Sequence, residues 1–292
     1  MSDSPPTSKI TLLWHPFTPK GIASAALAPR WQLWSALAMT AAASVCSVLY
    51  FLAQCWQPVI FEAIEQLPDG GFVRAGILHP GGRETDVTLA NNHFLAVALN
   101  WTDAGVRDQA SDMRVILQID RALVCSVFGC AVVRYQFMGD HPVGRTETGA
   151  WWRAWSPYLL SAIAAGQTLF ILISWWLLVI VYAWGVRLLA FYLDRQVDFG
   201  GATRVAQAAL VPGAWWLTFA VFSYAREWLD LFSLLIVWVM HVPVGWIYLA
   251  LACRQLPRRP DLPPTNPFQP AEAPAASLAP ADTTNPFRKP GE

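Results

Sequence analysis

Three long stretches of this chain carry no Asp, Glu, Lys or Arg: residues 31–61, 154–186 and 231–252. A helix needs about 20 apolar residues to cross a bilayer. Inside hydrocarbon every backbone polar group must be satisfied within the chain, so such stretches become helices. A fourth apolar segment, Val205–Ala225, is interrupted by Pro212-Gly213, and the last of the charge-free stretches contains Pro243. A proline leaves the carbonyl four residues back without its donor. The carbonyls of Ala208 and Val239 therefore need a neighbour. Only 14% of the 292 residues are charged, against about 25% in an ordinary soluble domain.

Tryptophans mark the ends of these segments. Trp31 and Trp34 open the first and Trp56 closes it; Trp151, Trp152 and Trp155 precede the second and Trp184 ends it; Trp228 and Trp246 flank the last. Such aromatic belts sit at the two membrane–water interfaces. Trp31 to Trp56 covers about 38 Å of helix, close to a bilayer with its headgroups. Lys9, Lys20, Arg30, Arg187, Arg195, Arg204, Arg254, Arg258 and Arg259 gather on one side. Positive residues near helix ends stay cytoplasmic. The expected layout is a multi-pass protein of the cell (inner or plasma) membrane with both termini cytoplasmic. The first helix acts as an uncleaved signal anchor, because its apolar run continues past the small residues at 39–44. The formal net charge is zero, and no basic stripe interleaves with aromatics, so nucleic acid is not an expected partner.

Residues 57–150 then lie outside. "MRVILQID" (113–120) and "AVVRYQF" (131–137) alternate apolar and polar residues; "GFVRAGIL", "DVTLA" and "FLAVALNW" are three further strand candidates. Period-two alternation between turn residues signals half-buried strands; "PDGG", "HPGG" and "SVFG" are the expected turns. The expected fold is an α-helical membrane protein with four transmembrane helices and an inserted, mostly-β extracytoplasmic domain. It divides into a cytoplasmic segment (1–30), helix 1 (31–56), the outer β-rich domain (57–150), helices 2–4 (151–253) and a disordered Pro-rich cytoplasmic tail (254–292). Helix 1 is expected to continue through "VIFEAIEQL" toward the outer domain.

Candidate sites are few. Cys125 and Cys130 frame "CSVFGC" on the oxidising side, so a hairpin would set them face to face as a disulfide, or leave two buried thiols. His79, His93 and His141 do not pair at metal-ligand spacing, and Asp86, Asp103 and Asp112 offer carboxylates with no assignable partner. No metal or cofactor is expected, and no nucleophile elbow, phosphate loop or zinc-helix motif is present. Asn100–Thr102 fits a glycosylation sequon. His241 stands near the middle of an otherwise apolar span. A charge there costs about 3 kcal/mol or more, so the ring is expected neutral and hydrogen-bonded within the bundle. Depth matching offers Ser44, Ser47, Gln167, Ser174 and Thr218 as partners. The group is either a gate or binding site at the midplane, or a polar tie between helices.

Two resemblances bear on this layout. "TNPF" occurs at 265–268 and 284–287, placing Asn266, Pro267, Phe268 and Asn285, Pro286, Phe287 in the tail. The pair resembles the Asn-Pro-Phe ligands of EH-type adaptor domains, which secretory carrier membrane proteins combine with four spanning helices. Two Asn-Pro turns in a Pro-rich tail are the plainer reading. "ATRVAQAALVPGAWWLTFAVF" (202–222), a helix with a Pro-Gly break before a short loop and an apolar helix, resembles Yip-type membrane proteins. "LPDGGFVRAGIL" (67–78) and "NNHFLAVALNWTD" (91–103) between an anchor helix and a helix cluster are similar to the bacterial maltodextrin-utilisation-type membrane proteins. That resemblance implies a non-enzymatic integral membrane protein, an accessory to transport or to envelope organisation.

The expected function is therefore binding through the outer domain. Its partners would be the lipid bilayer and other membrane or envelope proteins, with homo-oligomerisation open. A small transporter or channel subunit using the polar groups around His241 is the second expectation, and an envelope enzyme of the outer domain the third.

Overall fold

The computed structural model describes residues 15–79, 81–82, 86–101, 111–137 and 139–259. Asp103, Thr102 of the sequon and both Asn-Pro-Phe motifs lie outside the described residues. The chain divides into two units, Met1–Pro257 and Arg258–Glu292. The helices and sheets of the described residues belong to the first.

Among the described residues four helices are long and apolar enough to cross a membrane: Arg30–Glu65, Arg145–Tyr192, Phe199–Ala225 and Leu231–Cys253. A β-sheet region lies between the first two. The first runs as α2 (Arg30–Phe51), a π-helical turn (Leu52–Trp56) and α3 (Gln57–Glu65), after a short α1 (Pro19–Ser24). The π turn has a local cause. Pro58 lacks the N–H that would pair with the Gln54 carbonyl, so the helix widens and Gln57 N bonds Leu52 O instead. The extension beyond Trp56 follows the expected path through "VIFEAIEQL".

α4 (Arg145–Tyr192) starts inside the segment expected to be wholly outer domain. α5 (Phe199–Ala225) begins six residues before the expected Val205, because Asp198 caps it: its Oδ1 accepts from Gly201 N at 3.0 Å. Neither α5 nor α6 (Leu231–Cys253) breaks at its proline. Asp230 caps α6, accepting from Ser233 N at 2.7 Å. Hydrogen bonds from Ser233, the side chain's first, hold the Asp230 carboxyl below its ordinary range.

The β region contains two sheets, with strand orders β2-β1-β8 and β3-β4-β5-β6-β7. Here β1 is Phe72–Arg74, β2 Ile77–His79, β3 Val87–Asn91, β4 Leu95–Leu99, β5 Met113–Leu117, β6 Arg121–Ser126, β7 Gly129–Arg134 and β8 His141–Pro142. "GFVRAGIL" is a hairpin, not one strand. Ala75 (φ 49°) and Gly76 (φ 78°) are both left-handed, as a two-residue primed turn requires. β6 is marked by no alternation of its own; only the hairpin expected between Cys125 and Cys130 calls for it. β4 and β5 pair in parallel while the other pairs of that sheet are antiparallel. The loop between Cys125 and Cys130 is tighter than expected: Ser126 pairs with Gly129, leaving only Val127-Phe128 at the tip.

Two cores hold the unit together. One joins α1, α4, α5 and α6 at the end remote from the sheets, through Ile22, Tyr182, Val186, Ala202, Val205, Ala206, Leu249 and Cys253. Small residues let these backbones approach, which is how helices associate in lipid. The other packs α3 against the sheet through Val59, Ala63, Leu67, Leu89, Leu95 and Leu99.

Candidate functional site

Close packing at one end of the bundle and divergence at the other create the main cavity. At its tight end, Tyr182 on α4 is fully buried, and its hydroxyl donates to Val242 O at 2.8 Å. The carbonyl beside Pro243 that receives an interhelical bond is thus Val242, not Val239. Toward the sheets the helices separate around a cavity of about 730 Å³. Ser44 (α2), Gln167 and Ser174 (α4), Thr218 (α5) and His241 (α6) all line it, together with Ser47. Residues selected by depth along four helices therefore line the same cavity.

Their bonds differ from expectation. Ser44 Oγ and Thr218 Oγ1 lie 2.7 Å apart, and Trp215 Nε1 donates to Thr40 Oγ1 at 3.1 Å. The polar tie therefore joins α2 to α5. Ser44 also reaches the Thr40 carbonyl at 2.9 Å, Thr218 the Ala214 carbonyl at 2.8 Å, and Ser174 the Ile171 carbonyl at 3.0 Å. His241 joins no other helix: its Nδ1 faces the Trp238 carbonyl of α6 itself. The role of a polar tie expected of His241 falls to Ser44–Thr218 and Trp215–Thr40. Thr40 and Trp215 were missed, though a hydroxyl one helical turn before Ser44 was a usable signal.

A second polar junction seats the sheet on the bundle. Tyr224 OH donates to Asp112 Oδ2 at 2.7 Å, and His93 Nε2 lies 3.7 Å from the same oxygen. Asn92 Nδ2 donates to the Cys55 carbonyl at 2.6 Å, in the widened π turn. Cys55, Phe94 and Tyr224 form a small core beneath. Asp112 and His93 thus have partners that spacing did not reveal. Tyr224→Phe removes a hydrogen bond to a carboxylate and should loosen this seat by about 1–2 kcal/mol. Amide exchange at Met113 and Phe94 should rise while exchange in α6 holds. Unchanged protection at Met113 would show that the junction is not structural.

Cys125 and Cys130 face each other across β6 and β7 and form a disulfide. Every residue of β7, the last strand of its sheet, is exposed. His79 stacks on Phe72, and His141 Nδ1 lies 3.1 Å from the Gly139 carbonyl. Burial, then the Asp120 charge, pushes the Tyr135 phenol above its ordinary value. Between α3, the start of α4 and the sheet lies a smaller cavity of about 300 Å³, lined by Trp56, Ile60, Leu89, Leu95, Val115 and Trp152. Among the described residues no cluster of His, Cys, Asp or Glu is arranged to hold a metal ion. The chain matches no family model, no curated protein and no solved structure.

Proposed function

We propose that the chain is a non-enzymatic multi-pass membrane protein, both termini cytoplasmic, that acts by binding an envelope or membrane partner through its outer β region. The supporting observation is β7. It is an edge strand, exposed along its whole length, and is tied to β6 by the Cys125–Cys130 bridge. An edge strand offers a free row of N–H and C=O groups to which another chain can add a strand. The bonds Tyr224–Asp112 and Asn92–Cys55 hold the β3–β4–β5 side of the same sheet against the bundle. The resemblance in layout to maltodextrin-utilisation-type and Yip-type proteins agrees with an accessory or envelope-organising role.

In an antiparallel pair, alternate residues turn their N–H groups toward the partner strand. Of Val132 and Val133, one therefore has its N–H on the free edge. Proline at that residue should abolish in-membrane cross-linking from β7 to its partner, while membrane insertion and the disulfide persist. An unchanged cross-linking pattern with both single proline variants would overturn the reading. A small transporter or channel subunit is the second reading, favoured by the cavity around His241. For it, His241→Leu should lower flux at unchanged stability.

A further inference from the structure

The intramembrane cavity has chemistry of its own, distinct from the row of N–H and C=O groups on the β7 edge. Phe170, Leu177 and Trp238 line it, yet they are 63%, 53% and 55% exposed. The cavity therefore opens on the flank that the apolar spans would set against acyl chains. At about 730 Å³ it is far larger than a water's share of about 30 Å³.

Its polar groups are specific. Among the described residues no Asp, Glu, Lys or Arg lines it. Ser47 and Ser174 direct their hydroxyl protons to carbonyls of their own helices, and Ser44 and Thr218 share theirs between such carbonyls and each other. Gln167 is different. It is half-buried on the cavity wall, and among the described residues its amide has no hydrogen-bond partner. An amide left unpaired in an apolar medium costs a few kcal/mol. A hydrogen-bonding group entering the cavity from the bilayer would remove that cost. Gln167 lies roughly 20 Å along α4 from Ala154, at 1.5 Å per residue. That depth is below the interface that a phosphate headgroup occupies.

We propose that this cavity binds an uncharged long-chain amphiphile drawn from the bilayer. A small carbonyl- or hydroxyl-bearing head bonds the Gln167 amide, and the apolar chain lies along Phe170, Leu177 and Trp238. The absence of charge in the wall and the depth of Gln167 exclude a phospholipid head at the same point. The tip of the outer hairpin completes the site. Phe128, 81% exposed, also lines the cavity, so the disulfide-tied hairpin stands at its mouth.

The test uses the full chain in phosphatidylcholine vesicles, photolabelled in one arm with a diazirine-bearing long-chain alcohol and in the other with diazirine-bearing phosphatidylcholine. The alcohol should label saturably on the Gln167–Leu178 and Leu234–Val242 peptides. Gln167→Leu should cut that labelling roughly fivefold, the equivalent of one hydrogen bond, with unchanged thermal stability. Ala214→Trp, which fills the cavity from α5, should cut it tenfold or more; Gln167→Leu carries the test alone if that variant does not fold. Three results would overturn the proposal: even, non-saturable labelling of all outward faces; equal labelling of the same peptides by phosphatidylcholine; or cavity peptides cross-linked to a second copy.

Discussion

Gly213→Val is expected to cost the bundle about 1–3 kcal/mol or more, the usual penalty for forcing atoms into a packed contact, and to lower the detergent-solubilised Tm by several degrees. A Cβ on Gly213 would lie 2.5 Å from the carbonyl oxygen of His241 and 3.4 Å from its carbon. Both are backbone atoms of α6, so no side-chain rotation relieves the overlap. α5 and α6 would have to part, and the cluster of small residues at that end would part with them. The control is Gly166→Ala on α4, where an added Cβ meets nothing within 4 Å. There the change removes backbone freedom from the unfolded chain and should hold or raise Tm. Equal Tm values for Gly213→Val and the parent chain would mean that α5 and α6 are not in backbone contact at this level.

The contrast between Gly213 and His241 shows which parts of the architecture are legible in the residues. The four long apolar helices are legible, because a stretch without charge that is long enough to cross a bilayer stands out as an uninterrupted apolar run. Depth is legible as well, because helices rise by a fixed step. Ser44, Gln167, Ser174, Thr218 and His241, matched by depth, all line one cavity. Rotation about each helix axis is not legible. In water an apolar stripe marks the buried face, but lipid and helix interface are both apolar, so the stripe is lost. Hence an ionisable ring drew the expectation of a tie, while hydroxyls on α2 and α5 form it. Gly213 read as an interruption; it is the point where two backbones nearly touch.

The β region divides in a similar way. Alternation identified β3, β4, β5 and β7, and the paired cysteines implied the β6–β7 hairpin. Ala75 hid the first hairpin, because alanine seldom adopts positive φ and "RAG" carries only half of the usual turn signal. The parallel pairing of β4 with β5 has no local signature, since alternation marks a strand but not the direction of its neighbour. The His93–Asp112–Tyr224 junction joins residues from β-region loops and α5, a separation no spacing rule spans.

Tyr182 carries the other large expectation. Its side chain is fully buried, its ring centroid lies 4.6 Å from that of Trp246, and its hydroxyl bonds the Val242 carbonyl. Tyr182→Phe removes only the hydrogen bond; interhelical bonds in membranes average about 0.6 kcal/mol, so a small loss is expected. Tyr182→Ala also empties the space between α4 and α6 and should cost about 3–5 kcal/mol. The ring sits where a side chain on Gly245 would lie: a Cβ there would meet the Tyr182 ring and hydroxyl at 2.9 Å. Volume removed from α4 can therefore be returned from α6. Gly245→Val should be destabilising alone, yet should recover part of the stability lost in Tyr182→Ala when the two are combined, a coupling read directly from a double-mutant cycle of thermal stabilities. If the two losses simply add, Tyr182 and Gly245 do not share one space. If Tyr182→Phe costs as much as Tyr182→Ala, the hydroxyl rather than the packing holds α4 to α6, and α6 then depends on the donor beside its proline.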